Sequence, residues 1–317
     1  MPRKNNICTS RKTKKGKSLE TAQLFDLTLK CILKEASHPA VVHLVNSIYK
    51  KNYPLQTTLV TFEPTEFIKK HPQTGKLRKI VTDMVITLSG EDYRDTYLVE
   101  AQIKDDLGML LRIFNYSTSI AIAGKTVSDD GSYLEIDMPS PAVLYFGSSK
   151  TNDIIFIKIR FPHGESVLYN VPTIKILNHS ISELEGMALL LPFYILKIRS
   201  ELKKKGVNSE KRKLLSKELE GYIAEIVKSL EESRKNSYIN EDDLALLLDS
   251  LRSMSSELYG KYKEFTEVDM SLRKWAKSGV RKALDKAKKK GRAELLALWE
   301  SGVSLEEAKK MFGCETP

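Results

Sequence analysis

Asp83, Glu100 and Gln102 are polar residues placed where strands would be entering a core, in the stretch TDMVITLSGEDYRDTYLVEAQIK from 82 to 104. Successive side chains of a strand face opposite ways. In LVEAQIK this sets Leu98, Glu100, Gln102 and Lys104 on one face and Val99, Ala101 and Ile103 on the other. VITL and TYLV are good strand formers around the polar turn SGED, so the stretch predicts a hairpin turning near Gly90 to Asp92. Its first arm places Asp83 on the face of Val81, Val85 and Thr87. Pairing across the turn would bring Asp83 and Glu100 toward one end of the sheet, where two carboxylates repel unless something positive lies between them. Magnesium suits such a place, because it takes a few carboxylate oxygens together with water and substrate phosphate. The ion polarises a phosphodiester, acidifies a bound water and stabilises the departing oxygen. Solvated acids at strand ends produce the same spacing, so spacing alone leaves both readings open.

The surrounding elements are those needed to hold such a hairpin. Apolar residues at helical spacing predict a helix from about Leu19 to Ala36, and Pro39 suits the first turn of a second, PAVVHLVNSIY. QTTLVTFEPTEF reads as a strand interrupted at Pro64, and HPQTGK as a turn. After the hairpin, DLGMLLRIFNYSTSIAIA predicts a helix with Leu107, Leu110, Leu111, Phe114 and Ala121 as its apolar stripe. PAVLYFG and DIIFIKIRF read as strands, and a helix is expected from about Ser182 to Ser200. Helices and strands in this mixed order give an α/β core. From Glu201 the chain is charged, Leu-rich and nearly free of strand signal, which predicts an all-helical C-terminal extension. Near its end Gly302 stops one helix, and Ser304 with Glu307 forms a capping box for another. The expected division is a basic arm over 1–18, a core domain over 19–200 and a helical region over 201–317.

Several classes are disfavoured by composition. No apolar run is long enough to span a bilayer, and the segment after the basic N-terminus is no signal-peptide core, so a cytoplasmic protein without a membrane partner is expected. Cys8, Cys31 and Cys314 form no close pair and the five histidines no HExxH spacing, so neither a disulfide framework nor zinc is indicated. The net charge of +10 is unevenly placed, with one basic block over 3–17 and another from Arg273 to Arg292. Two such blocks fit a polyanion, most simply nucleic acid; solvated surface fits them as well. Self-association into a homo-oligomer is left open.

The ordered segments FDLTLKCILK, HPAVVHLVNSIY, TDMVITL, LVEAQ, LRIFNYSTSIA, VPTIKIL and LLPFYILKIR, over about residues 24–200, resemble the PD-(D/E)XK nuclease superfamily. More narrowly they are similar to its transposase-associated branch, the recombination-promoting nucleases. The resemblance implies a restriction-endonuclease-like core of mixed sheet flanked by helices, and magnesium-dependent cleavage of DNA with little sequence specificity. Asp83 and Glu100 would then be the metal-binding carboxylates. Gln102 takes the place where the superfamily usually has lysine, though the transposase-associated branch is similar in carrying E-x-Q. Asp26 matches an acid on the family's first helix, as a metal or supporting contact; favourable placement near a helix N-terminus explains it equally. Arg112 and Tyr116, four apart on one helix face, would contact phosphate or brace the carboxylates, or Tyr116 packs while Arg112 reaches out along the core edge. Lys104 is on the face of Gln102 and would stand in for the missing lysine. Lys158 and Arg160 are candidates for the substrate groove, though surface exposure is the simpler explanation for both. A nucleic-acid-binding or partner-binding protein of the same fold, with faded catalysis, is the competing expectation.

Overall fold

The computed structural model describes residues 21–63, 66–70, 77–81, 84–103, 106, 108–147 and 149–275. Asp83, Lys104 and Leu107 lie outside the described residues, as do the basic arm and everything beyond 275, with its capping box and most of the second basic block.

Helix α1 covers Thr21–Glu35 and α2 covers His38–Tyr49, with Pro39 in the first turn of α2, where a missing N–H breaks no helical hydrogen bond. Strand β1 is Leu59–Phe62. The expected hairpin arm is divided: β2, Glu66–Lys70, and β3, Leu77–Val81, pair with each other as a separate antiparallel ribbon. The hairpin proper is β4, Met84–Ser89, and β5, Arg94–Gln102, closed by a Gly90 N–H bond to the Tyr93 carbonyl. Helix α3 follows over Gly108–Ala123, then the short ribbon of β6, Thr126–Val127, and β7, Leu134–Glu135. Strands β8, Ser140–Tyr145, β9, Ile154–Arg160, and β10, Ser166–Lys175, complete a six-stranded sheet of order β1-β4-β5-β8-β10-β9. Its β5–β8 and β8–β10 pairs are parallel and the others antiparallel, so the sheet is mixed.

Alternation along β5 divides the protein into two cores. Leu98 faces a smaller cluster with Val85, Val143, Tyr145 and Val171, covered by Met109, Ile113 and Tyr116 of α3. Val99, Ala101 and Ile103 face a larger one with α1 and α2. The stripe expected on α3 is corrected here. The helix buries Met109, Ile113, Tyr116, Ser117 and Ala121, while Leu111 is 69% exposed. Apolar residues run around most of this helix, so periodicity defines no unique face and the sheet chooses one. The expected helix at 182–200 is also different in kind. Ser182–Ile195 is 3-10 helical, departs from helical geometry at Met187 and carries Pro192, before α4 takes over at Leu196–Leu202. In an α-helix the Pro192 ring would clash with the carbonyl four residues earlier, which disfavours regular α winding in this buried apolar run.

Helices α5, Ser209–Lys235, and α6, Glu241–Tyr259, form the C-terminal region, followed by a further helical stretch to residue 275. Leu215, Leu219, Ile223, Ile226 and Leu230 of α5, with Leu244, Leu247 and Leu251 of α6, belong to the larger cluster together with Leu29, Ile32 and Leu33 of α1. Asp243 ties this region to the N-terminal helices. Its carboxylate accepts from the Ser37 amide at 2.7 Å, the Ser37 hydroxyl at 2.6 Å and the Asn240 amide at 2.9 Å, capping α6 while holding the start of α2. Among the described residues no helix is long and apolar enough to cross a membrane.

Where β5 and β8 end, the backbones pass closely: a Cβ added to Gly147 would lie 2.0 Å from the Ile103 carbonyl oxygen. Backbone on both sides leaves no flexible group to yield. Gly147→Ala is therefore expected to cost about 2–3 kcal/mol, measured as a loss of stability in urea unfolding with little change in slope.

Candidate functional site

Glu100 is carried by β5, between β4 and β8, and lies opposite Val143 of β8. It is 5% exposed, on the face of the sheet that α3 covers. The last described pair of the β4–β5 ladder is Met84 with Val99, so Glu100 is the next residue of β5 beyond it. Gln102 turns to the same side, with its amide nitrogen 3.5 Å from Glu100 Oε1, a long hydrogen bond. Holding a carboxylate this deeply is costly unless its charge is compensated.

Tyr116 sits in the small cluster beneath the same face, 7% exposed, so its ring packs against the strands. Arg112, one turn earlier on α3, points out of the cluster and pairs with Asp106 at 3.0 Å. Asp106 also accepts from the Gly108 amide at 2.9 Å, so this ion pair braces the start of α3. Tyr169 of β10 fastens the middle of the helix through Ser117 Oγ at 2.9 Å, and burial pushes its phenol up to about 12. Asp26 is held by its own helix: Lys30 Nζ lies 2.7 Å from Oδ1, and α1 packs into the larger core through Phe25 and Leu29. Thus Glu100, Gln102 and Tyr116 share the α3 side of the sheet, while Asp26 is engaged on α1. Asp83 and Lys104 are outside the described residues.

For Lys158 and Arg160 the structure agrees with surface exposure, the simpler of the two expectations. Both are exposed on β9, but strand alternation gives the Glu100 side to Ile155 and Ile157, which pack on the small cluster. Lys158 and Arg160 are therefore on the opposite face.

A feature that the sequence reading passed over is a cleft of about 670 Å³ at the carboxyl ends of β5 and β8, lined by Phe25, Ile103, Phe146, Lys197, Arg199, Lys203 and Lys211 among others. In open α/β sheets ligands bind in crevices outside the carboxyl ends of strands. Lys197 bonds the Tyr194 hydroxyl at 2.9 Å and lies 5.0 and 5.5 Å over the Tyr194 and Tyr222 rings. Arg199 stacks over Phe25 at 5.7 Å, where burial lowers its pKa. Both carboxylates of the lining have other engagements: Glu201 with Lys204 at 2.7 Å, and Glu218 with the Tyr222 hydroxyl at 2.6 Å. The available signal was the cationic run KIRSELKKK directly after an apolar segment. Glu63 was likewise passed over. It follows β1, accepts from Thr87 Oγ1 at 3.1 Å and lies 3.6 Å from Arg94.

For a metal, the described donors are the Glu100 carboxylate and the Gln102 amide oxygen, both hard oxygens of the kind magnesium takes. Among the described residues no group of three or more His, Cys, Asp or Glu side chains is placed to hold a metal ion. Comparison with protein-family models, with curated proteins and with solved structures gave no match.

Proposed function

We propose that the chain is a magnesium-dependent DNA endonuclease of low sequence specificity, on a restriction-endonuclease-like fold, serving recombination or mobile elements. The observation that carries this reading is Glu100, buried on an inner strand with Gln102 beside it, at the end of the sheet where β4 begins. The sequence of a helix, an antiparallel pair, a second helix and a strand parallel to β5 supports the fold. The lysines and arginine of the cleft support an anionic partner.

In this reading Asp83 and Glu100 hold the ion, Glu100 being the residue of β5 just beyond the Met84 and Val99 pair. When bound, magnesium supplies positive charge to the phosphodiester and acidifies a water. Gln102 orients that water by hydrogen bonding through its neutral amide. A lysine would add charge against the phosphate, so the glutamine makes for slower turnover. Phosphates away from the scissile bond are held by the basic arm and by the cleft cations, the cleft opening at the strand ends on the larger-core side of the sheet. This makes binding fall steeply with salt.

The neutrality of Gln102 favours a second reading, a binding protein whose catalysis has faded. Supercoiled plasmid separates the two. The nuclease nicks it in magnesium, is silent in EDTA, and loses activity in Asp83→Ala. Cleavage that survives EDTA, or an Asp83→Ala variant as fast as the parent, removes the metal-site assignment. Binding without nicking in magnesium selects the second reading.

A further inference from the structure

The two edges of the six-stranded sheet are finished differently. β1 has 4 residues, and its Val60 amide is directed at His38 Nδ1 of α2 at 3.5 Å. β9 has 7 residues, IIFIKIR, no proline and no further strand beside it among the described residues. Its pairing with β10 shows which backbone groups are unused. The Thr173 amide bonds the Asp153 carbonyl at 2.8 Å and the Phe161 amide bonds the Glu165 carbonyl at 2.9 Å. In an antiparallel ladder, bonded pairs recur at every second residue. Ile155, Ile157 and Ile159 therefore bond β10, and Ile154, Phe156, Lys158 and Arg160 turn their N–H and C=O groups outward. The same residues leave Ile154 46% and Phe156 51% exposed.

We propose that this edge pairs with β9 of a second copy, antiparallel, about a two-fold axis at Ile157, joining two sheets into one. Outward-turned residues must meet outward-turned residues, which leaves few registers. An axis at Lys158 sets two ammonium groups face to face, which is destabilising. An axis at Phe156 runs Arg160 past the end of the facing strand. The axis at Ile157 uses the whole strand: Ile154 meets Arg160 of the other copy and Phe156 meets Lys158, a cation beside an aromatic ring. On the other side Ile155 meets Ile159 and Ile157 meets itself. Lysine at a sheet edge is a common guard against pairing. In this register neither Lys158 nor Arg160 meets a like charge, so the strand is complementary to itself. This pairing does not depend on the nuclease reading.

Sedimentation of the full chain, over a dilution series from micromolar to submillimolar, tests it. The parent is expected to dimerise. Phe156→Lys, which sets lysine opposite Lys158, and Phe156→Pro, which removes an outward N–H that β10 does not use, should each weaken the dimer at least about tenfold. Both should keep the parental circular dichroism, and the proline variant decides the matter if the lysine variant misfolds. A parent monomeric throughout the series overturns the proposal, as does a folded variant that dimerises as tightly as the parent.

Discussion

Glu100→Gln should slow magnesium-dependent nicking by at least about 100-fold, roughly 2.7 kcal/mol of transition-state stabilisation, while leaving the protein folded. The amide keeps the shape of the side chain and removes its charge. In the proposed site that charge is half of what holds the ion, so its loss falls on catalysis. Its effect on folding runs the other way. A side chain only 5% exposed is held at the expense of its hydration, and a neutral group in the same place relieves that cost. The melting temperature should therefore stay level or rise as activity falls. A purely structural carboxylate would show the reverse pattern, with stability lost and any activity falling in proportion to the unfolded fraction. A Glu100→Gln protein that cleaves at the parental rate would remove Glu100 from the site.

Asp243→Ala should produce the largest loss of stability, about 3 kcal/mol. Asp243 is 2% exposed and its carboxylate receives three hydrogen bonds, two of them from Ser37, which is 206 positions away. Bonds to a charged group contribute about 1.5–3 kcal/mol each, and they are not additive. Alanine removes the acceptor and leaves the two half-buried Ser37 donors without it at the junction of α2 and α6. For a chain of this size the expected fall in melting temperature is about 4–5 °C. Asn240→Ala removes only the other half of the capping box and should cost about 1 kcal/mol. Calorimetry that finds the two variants equally mild would show that the link to Ser37 contributes little.

The division of β5 into two faces was legible because a strand has a period of two: Leu98, Glu100 and Gln102 against Val99, Ala101 and Ile103 follows from spacing alone. The turn at Gly90 was legible for a similar local reason, a polar run between strong strand formers. Helix α3 was legible as a helix but its buried face was not, since Leu110, Leu111, Ile113 and Phe114 leave no polar side to orient it. Strand β10 was obscured by Asn170 and Pro172 inside SVLYNVPTIK. The helical character of α5 and α6 was plain, whereas their burial against α1 and the 3-10 segment is a long-range matter that no local pattern encodes. For the site, the sequence named Glu100 and Gln102 together but could not announce the cleft. Its cations come from α4 and α5 and its floor from α1, β5 and β8, and only the fold assembles them.

The unequal cores on either side of β5 also act as a safeguard against misfolding. A slip of one residue between β4 and β5 would turn Glu100 and Gln102 into the larger core, among Ile86, Leu88 and Leu144, and would expel Val99 and Ala101 toward α3. Such a chain would bury a charge in its most apolar region, and it would be unstable rather than merely inactive. The pairing that sets Glu100 and Gln102 on the α3 side is then also the pairing that survives, so nearly every molecule that passes cellular quality control would carry these two side chains in the correct register.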